Sequence, residues 1–173
     1  MLIQLRGANA ASPSKLPRQF SALTNLIRKE TKNMAIKQLS VFVENKKGSL
    51  HEITDVLAKE NIDLRSMCLA DTTDFGIVRI ITNEPERAKK ILDDAGHAAN
   101  VREITAFAVP DVPGGLAAVL SLLEGRGINI EYLYALITAE AGKAYTVLRT
   151  DDTEHTEEIL KAQGIEVLDE GQI

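Results

Sequence analysis

Apolar residues alternate with polar ones at Leu39, Val41 and Val43, the period of a strand with one face buried. The run Lys46-Lys47-Gly48-Ser49 breaks the alternation. Leu50, Ile53, Leu57 and Ala58 then follow helical spacing, with Ser49 predicted as N-cap and Glu52 as its capping-box partner. A second strand is predicted over residues 62–69 and a third over 75–81, joined by a polar turn. Pro85 opens a second helix that carries Ala88, Ile91 and Leu92 and stops at Gly96. The apolar stretch 101–109 is long enough to close one unit and open the next.

The pattern then repeats. Residues 41–64 align with residues 107–130 at an offset of 66, pairing Val43 with Val109, Gly48 with Gly114, Leu50 with Leu116, Leu57 with Leu123 and Ile62 with Ile128. Further on the offset grows to 68, matching Ile91, Leu92 and Gly96 with Ile159, Leu160 and Gly164. The extra residues fall near the turns 71–74 and 139–142, where insertions cost least. The second copy accordingly predicts a helix over 116–123, strands over 130–137 and 144–150, a helix over 154–163 and a short strand at 166–168. Elements in the order βαββαβ build an antiparallel sheet with both helices on one face, so the expected fold is α+β, two ferredoxin-like sandwiches. The expected organisation is a basic leader at 1–34, one module at 35–104 and a second at 105–173. Modules this small bury little surface alone, and their strands are apolar, so docking of modules within the chain or in a homodimer is expected.

Charge separates the leader from the rest. Arg6, Lys15, Arg18, Arg28, Lys29 and Lys32 face one acid, Glu30, in the first 33 residues, while the whole chain carries −5. The remainder is therefore at −10, which disfavours a nucleic-acid surface because phosphate binding needs clustered positive charge. The leader has the composition of an organellar transit peptide, or it is a translated stretch upstream of a start at Met34; at most a short helix over 18–29 is expected there. No apolar run approaches the roughly 20 residues that cross a bilayer, and Cys68, the only cysteine, cannot form an intramolecular disulfide. A cytoplasmic location without membrane contact is the expectation.

Candidate chemistry concentrates where strand one of the second copy meets its helix: Asp111, Val112, Pro113, Gly114, Gly115 and Leu116. The glycines admit a ligand close to the backbone, and the helix start offers unpaired N–H groups and a positive dipole end to a carboxylate. Asp111 can meet an ammonium, and the amide of Asn129, at the start of the next strand, can both donate and accept. Together these groups match the head of an α-amino acid. A tight turn and a self-capping asparagine are the plainer readings of the same residues.

The string D-x-P-G-x-L at 111–116, followed by Gly127-Ile128-Asn129-Ile130, resembles the signature of ACT domains, and the likeness extends over residues 37–169. Such modules commonly bind amino acids and regulate metabolic enzymes or transcription, usually by pairing edge to edge. The resemblance implies a ligand at the interface of two modules, held by the strand-to-helix loop of one and the opening of strand two of the other. It assigns Asp111, Gly114, Gly115, Leu116 and Asn129 in copy two. The counterparts in copy one are Asn45, Gly48, Ser49, Leu50 and Asp63. Copy one lacks the proline, and an ionised Asp63 offers a carboxylate no donor, so unequal sites are expected. Of Tyr132 and Tyr134, one is expected in the core and the other in the pocket wall, with Tyr132 the candidate for the wall.

No enzyme constellation accompanies this. His51, His97 and His155 are scattered without a second ligand at metal spacing, Cys68 has no histidine with it, and no phosphate-binding glycine loop occurs. No metal and no cofactor are expected. The rival readings are an acylphosphatase-like enzyme using Arg65 or Arg126 with Asn129, and a pairing module without ligand. The leading expectation is a non-catalytic amino-acid sensor read by a metabolic enzyme or a transcription regulator.

Overall fold

The computed structural model describes residues 35–71, 74–137 and 140–173; the basic leader and both of its readings lie outside them. In order come β1 (Ile36–Glu44), α1 (Ser49–Lys59), β2 (Leu64–Asp71), β3 (Phe75–Thr82), α2 (Pro85–Asp94), β4 (Ala99–Pro110), α3 (Gly115–Glu124), β5 (Ile130–Ala135), β6 (Lys143–Thr150), α4 (Thr153–Ala162) and a 3-10 turn (Glu170–Gln172). This is the ferredoxin-like βαββαβ order twice over. The closing strand of the second unit is reduced to Val167, which bridges Phe107 and is flanked by the bonds Ala108 N to Glu166 O and Leu168 N to Ala106 O.

Two local expectations change. Gly48, not Ser49, caps α1: the chain turns through it at φ 90, a left-handed conformation that favours glycine, so Ser49 becomes the first helical residue and no side chain caps the helix. The second strand begins at Leu64, because Asn61 turns the chain at φ 57 and Ile62 is first buried beneath α1. Pro85 does open α2, where its missing N–H costs nothing.

β4 joins the modules without a linker. Residues 99–104 pair with β1 and residues 105–110 with β6, giving the strand order β2-β3-β1-β4-β6-β5. On β1, Leu39, Val41 and Val43 face α1 and α2, packing with Ile53, Leu57, Ala88 and Leu92. On β4, Phe107 and Val109 face α3 and α4, packing with Val119, Leu123, Ile159 and Leu160. Each fully buried Leu, Ile or Phe contributes about 1.5–3 kcal/mol relative to exposure.

The helix-free faces meet each other. In a flat sheet of this order β3 and β5 would lie about 19 Å apart, four strand spacings. Instead, Arg79 of β3 lies over the Tyr132 ring of β5 at 3.8 Å, and Gln38 of β1 bonds Tyr132 and Tyr134. The sheet therefore folds over along β4. Ile36, Ile81, Ile104, Ala106, Tyr134, Leu136, Tyr145, Val147 and Leu168 form a third core between its halves.

Candidate functional site

The two strand-to-helix loops are built alike, bond for bond. Asn45 N donates to Asp74 O and Asp111 N to Gly142 O, both at 3.0 Å; Lys46 N donates to Glu44 O and Val112 N to Pro110 O, both at 2.9 Å. Ser49 N reaches Lys46 O at 3.3 Å and Gly115 N reaches Val112 O at 3.0 Å. Gly114 turns at φ 89, as Gly48 does, and again no side chain caps the helix that follows. The loops differ at the next residue. A Cβ on Gly115 would sit closer to the Pro110 carbonyl oxygen than the 3.0 Å real Cβ atoms respect, and 3.3 Å from its carbon, whereas copy one carries Ser49 there. Gly115 is thus required by the turn itself, whatever binds above it. Asp111 and Gly114 are exposed, and Leu116 packs partly against the core under α3, as Leu50 does under α1.

The openings of the second strands also match. Asn129 N donates to Asp151 Oδ1 at 3.2 Å while Asp151 N returns a bond to Asn129 O at 3.2 Å, and Asp63 N donates to Asn83 Oδ1 at 3.3 Å. Asp151 thus occupies the Asn129 backbone, and these bonds leave the Asn129 side chain at an exposed strand start. The Asp63 carboxylate is paired with Arg65 Nε at 3.1 Å, which engages one of the two arginines, Arg65 or Arg126, that could serve the acylphosphatase-like alternative.

Loop and strand opening do not meet within a module. Pro110 stands opposite Lys143, and Ile130 opposite Thr150. Seven residues of β6 therefore separate Gly114 and Gly115 from Asn129, roughly 23 Å along a strand. One small ligand cannot touch both ends of one module.

The two tyrosines differ in burial. Tyr134 is buried, its hydroxyl donating to Gln38 Oε1 at 2.9 Å, and burial pushes its phenol well above the ordinary value, so it stays a neutral donor. Tyr132 is half-buried beneath the Arg79 guanidinium. The periodicity argument missed Gln38, which reads as an outward polar position on β1 yet is fully buried. The available signal was that Ile36, Ile81, Ile104 and Ala106 make the opposite faces of these strands apolar too. At the loop end of module two, Glu140 is hydrogen-bonded by Tyr145 and by Lys143, which also pairs with Glu166 at 2.9 Å. Lys143 and then Tyr145 hold the Glu140 carboxyl below its ordinary range.

Among the described residues no group of His, Cys, Asp and Glu is placed to hold a metal ion, and no helix is long and apolar enough to cross a membrane.

A family model described as an ACT domain pair matches residues 34–173. A protein of Bacteroides thetaiotaomicron with a crystal structure is 43% identical, with a TM-score of 0.72 over 79% of this chain and 93% of that one. The fold is also similar to the ligand-free regulatory subunit of aspartate kinase from Thermus thermophilus, at 15% identity and a TM-score of 0.59 over 76% of this chain and 93% of that one. Among curated proteins none matches.

Proposed function

Because the chain belongs to the family of ACT domain pairs, we propose that it is a non-catalytic regulatory protein that binds a small amino acid at an interface between ACT modules. The observation that carries this reading is the start of α3: a left-handed glycine caps it without any side chain, and while the Gly115 N–H closes the turn onto Val112 O, the Leu116 and Ala117 N–H groups that follow suit a carboxylate. Asp111, exposed beside them, suits the ammonium. Asn129, roughly 23 Å away in the same module, must then come from another module. We assign that role to a second copy of the chain, which makes the working unit a homodimer holding the loop 111–116 of one subunit against the β5 opening of the other.

Copy one contributes less. Its loop (Asn45, Gly48, Ser49, Leu50) carries a side chain where copy two has a bare glycine, and Asp63 at its strand opening is acidic and already paired with Arg65. Binding changes how two modules sit together, and a metabolic enzyme or transcription regulator reads that change. The regulatory subunit of aspartate kinase, similar in fold, supports a partner of the enzyme kind. A cytoplasmic setting accords with the single cysteine, which cannot form an intramolecular disulfide.

A thermal-shift screen of the common amino acids tests this directly. At a hundred times its Kd a ligand that binds only the folded state adds about 2.7 kcal/mol, so at least one amino acid is expected to raise the melting temperature by several degrees. A flat response across the set, at concentrations up to the millimolar range, would sink the sensor reading.

A further inference from the structure

The body of the chain is strongly acidic, and three of its six arginines are claimed by acids. Arg65 pairs with Asp63, Arg87 with Glu60 and Glu84, and Arg149 with Glu131. Arg79 is different. Among the described residues it makes no ion pair, its Nε is buried without a hydrogen-bond partner, and its guanidinium stacks on the Tyr132 ring. It is half-buried in the fold between the two halves of the sheet.

Its neighbours are donors as well. Ser40 is the cross-strand partner of Arg79 on the same face of β1 and β3, which puts their Cβ atoms about 5 Å apart. The buried amide of Gln38 donates to Ser40 Oγ at 3.1 Å and to Tyr132 OH at 2.9 Å, and accepts from Tyr134 OH. In these bonds both hydroxyls serve as acceptors, so each keeps its own O–H to donate. Ser40, Tyr132 and Arg79 are all half-buried, hence reachable from solvent. A second arginine, Arg102, flanks Gln38 from β4 on this face and likewise makes no ion pair among the described residues. Just beyond Ser40 the face continues into exposed Phe42.

A fully satisfied buried amide that spends its donors on two hydroxyls, beside an unclaimed guanidinium, leaves an excess of donors and no acceptor for them. We propose that Arg79, Ser40 and Tyr132 form a second ligand site, between the two sheet halves, that takes a small carboxylate lacking an amino group, such as a 2-oxo acid. The guanidinium and the two hydroxyls hold the carboxylate and the oxygen next to it, and Phe42 meets the carbon chain. An α-ammonium is disfavoured because it would lie within a few ångströms of Arg79 with no carboxylate to offset it. The site stands apart from the loop 111–116 and does not depend on the amino-acid reading given above.

The test is a matched calorimetric titration of the full chain with pyruvate, 2-oxobutyrate and 4-methyl-2-oxopentanoate against alanine, 2-aminobutyrate and leucine. The oxo acids are expected to bind with one stoichiometric class that the matching amino acids do not displace. Arg79→Gln is expected to weaken oxo-acid binding ten- to a hundredfold, the loss typical of hydrogen bonds to a charged group. Tyr132→Phe, which keeps the ring under Arg79 but removes the hydroxyl, and Ser40→Ala are each expected to weaken it severalfold. These two carry the test should Arg79→Gln fail to fold. Oxo-acid binding that is absent, or that is unchanged in the folded variants, overturns the proposal. So does equal displacement by inorganic phosphate, which would mark a general anion site.

Discussion

Replacing Gly115 with alanine perturbs the turn on which α3 is mounted, and copy one supplies an internal reference for it. The new Cβ would overlap the Pro110 carbonyl oxygen, a backbone atom at the end of β4 that also accepts from Val112 N. Neither atom can swing away as a flexible side chain would, so the turn must open by about an ångström and weaken its closing bonds. Overpacking of this kind costs about 1–3 kcal/mol, occasionally more. Against it stands a gain of about 0.4–1 kcal/mol from a less flexible unfolded chain. Where the clash takes the upper part of its range, the net loss is about 1–2 kcal/mol, or roughly 3–8 °C in melting temperature for a body of this size. Ser49→Ala, at the equivalent point of copy one, meets no such overlap and should change stability by at most a few tenths of a kcal/mol. Thermal melts of both variants beside the parent, with circular dichroism to confirm folding, make the comparison. A Gly115→Ala protein as stable as the parent would show that the turn relaxes freely and that the glycine is not demanded by the backbone.

Asn129→Ala should leave stability within about 0.5 kcal/mol, because its backbone bonds to Asp151 survive, yet weaken amino-acid binding roughly ten- to a hundredfold by calorimetry. Asp63→Ala should do much less, and equal losses at the two positions would mean the copies bind alike. Gln38→Leu should cost about 1–3 kcal/mol in denaturant melts by leaving the buried Tyr134 hydroxyl without its acceptor, and a neutral result would mean the hydroxyl finds another partner. The Asp55 and Asp93 carboxyls are held below the ordinary 3.8 by their bonds to Lys59 and Lys89, and Glu140 below 4.5 by Lys143 and Tyr145. A lowered folded value means the unfolded chain binds the proton first, so this stabilisation is complete above about pH 4.5 and is lost as pH falls through the folded values. Melting temperatures measured from about pH 6 to about pH 3 should therefore decline toward the acid end; a curve that stays level to pH 3 refutes the assignment.

The repeat and the element order were legible because they rest on local periodicity. Leu39, Val41 and Val43 announce a strand, and the 66-residue offset announces a second copy, without reference to anything distant. What the chain does with its helix-free faces was not legible. Gln38 and Ser40 look like solvent positions because one apolar stripe per strand is enough to explain a sandwich, and only the fold-over along β4 brings Tyr132 to them and to Arg79, the cross-strand neighbour of Ser40. The turn at 111–116 was legible in its glycines, but its distance from Asn129 was not. Composition places Gly114, Gly115 and Asn129 on one chain close in sequence, but the antiparallel register sends the strand opening to the far end of the module. A contact that requires another module cannot be seen in the spacing of one.

The strand that joins the modules also sets a parity rule on the sequence. Along β4 the odd positions Val101, Phe107 and Val109 point to helices and the even positions Ile104 and Ala106 point to the opposing sheet, and the same count runs unbroken from one module into the next. One residue added between Ile104 and Thr105 would turn the second module inside out, exchanging its helix face for its sheet face at every strand position that follows. Two added residues would restore the faces but slide the modules past each other by a step of nearly 7 Å. A hairpin end, by contrast, can lengthen by any number of residues, and the growth of the repeat from 66 to 68 falls near such turns. If the pair arose by duplication, its seam is the stretch where length is frozen, and homologous chains should vary in length at the hairpins while holding the span from Ala99 to Pro110 constant.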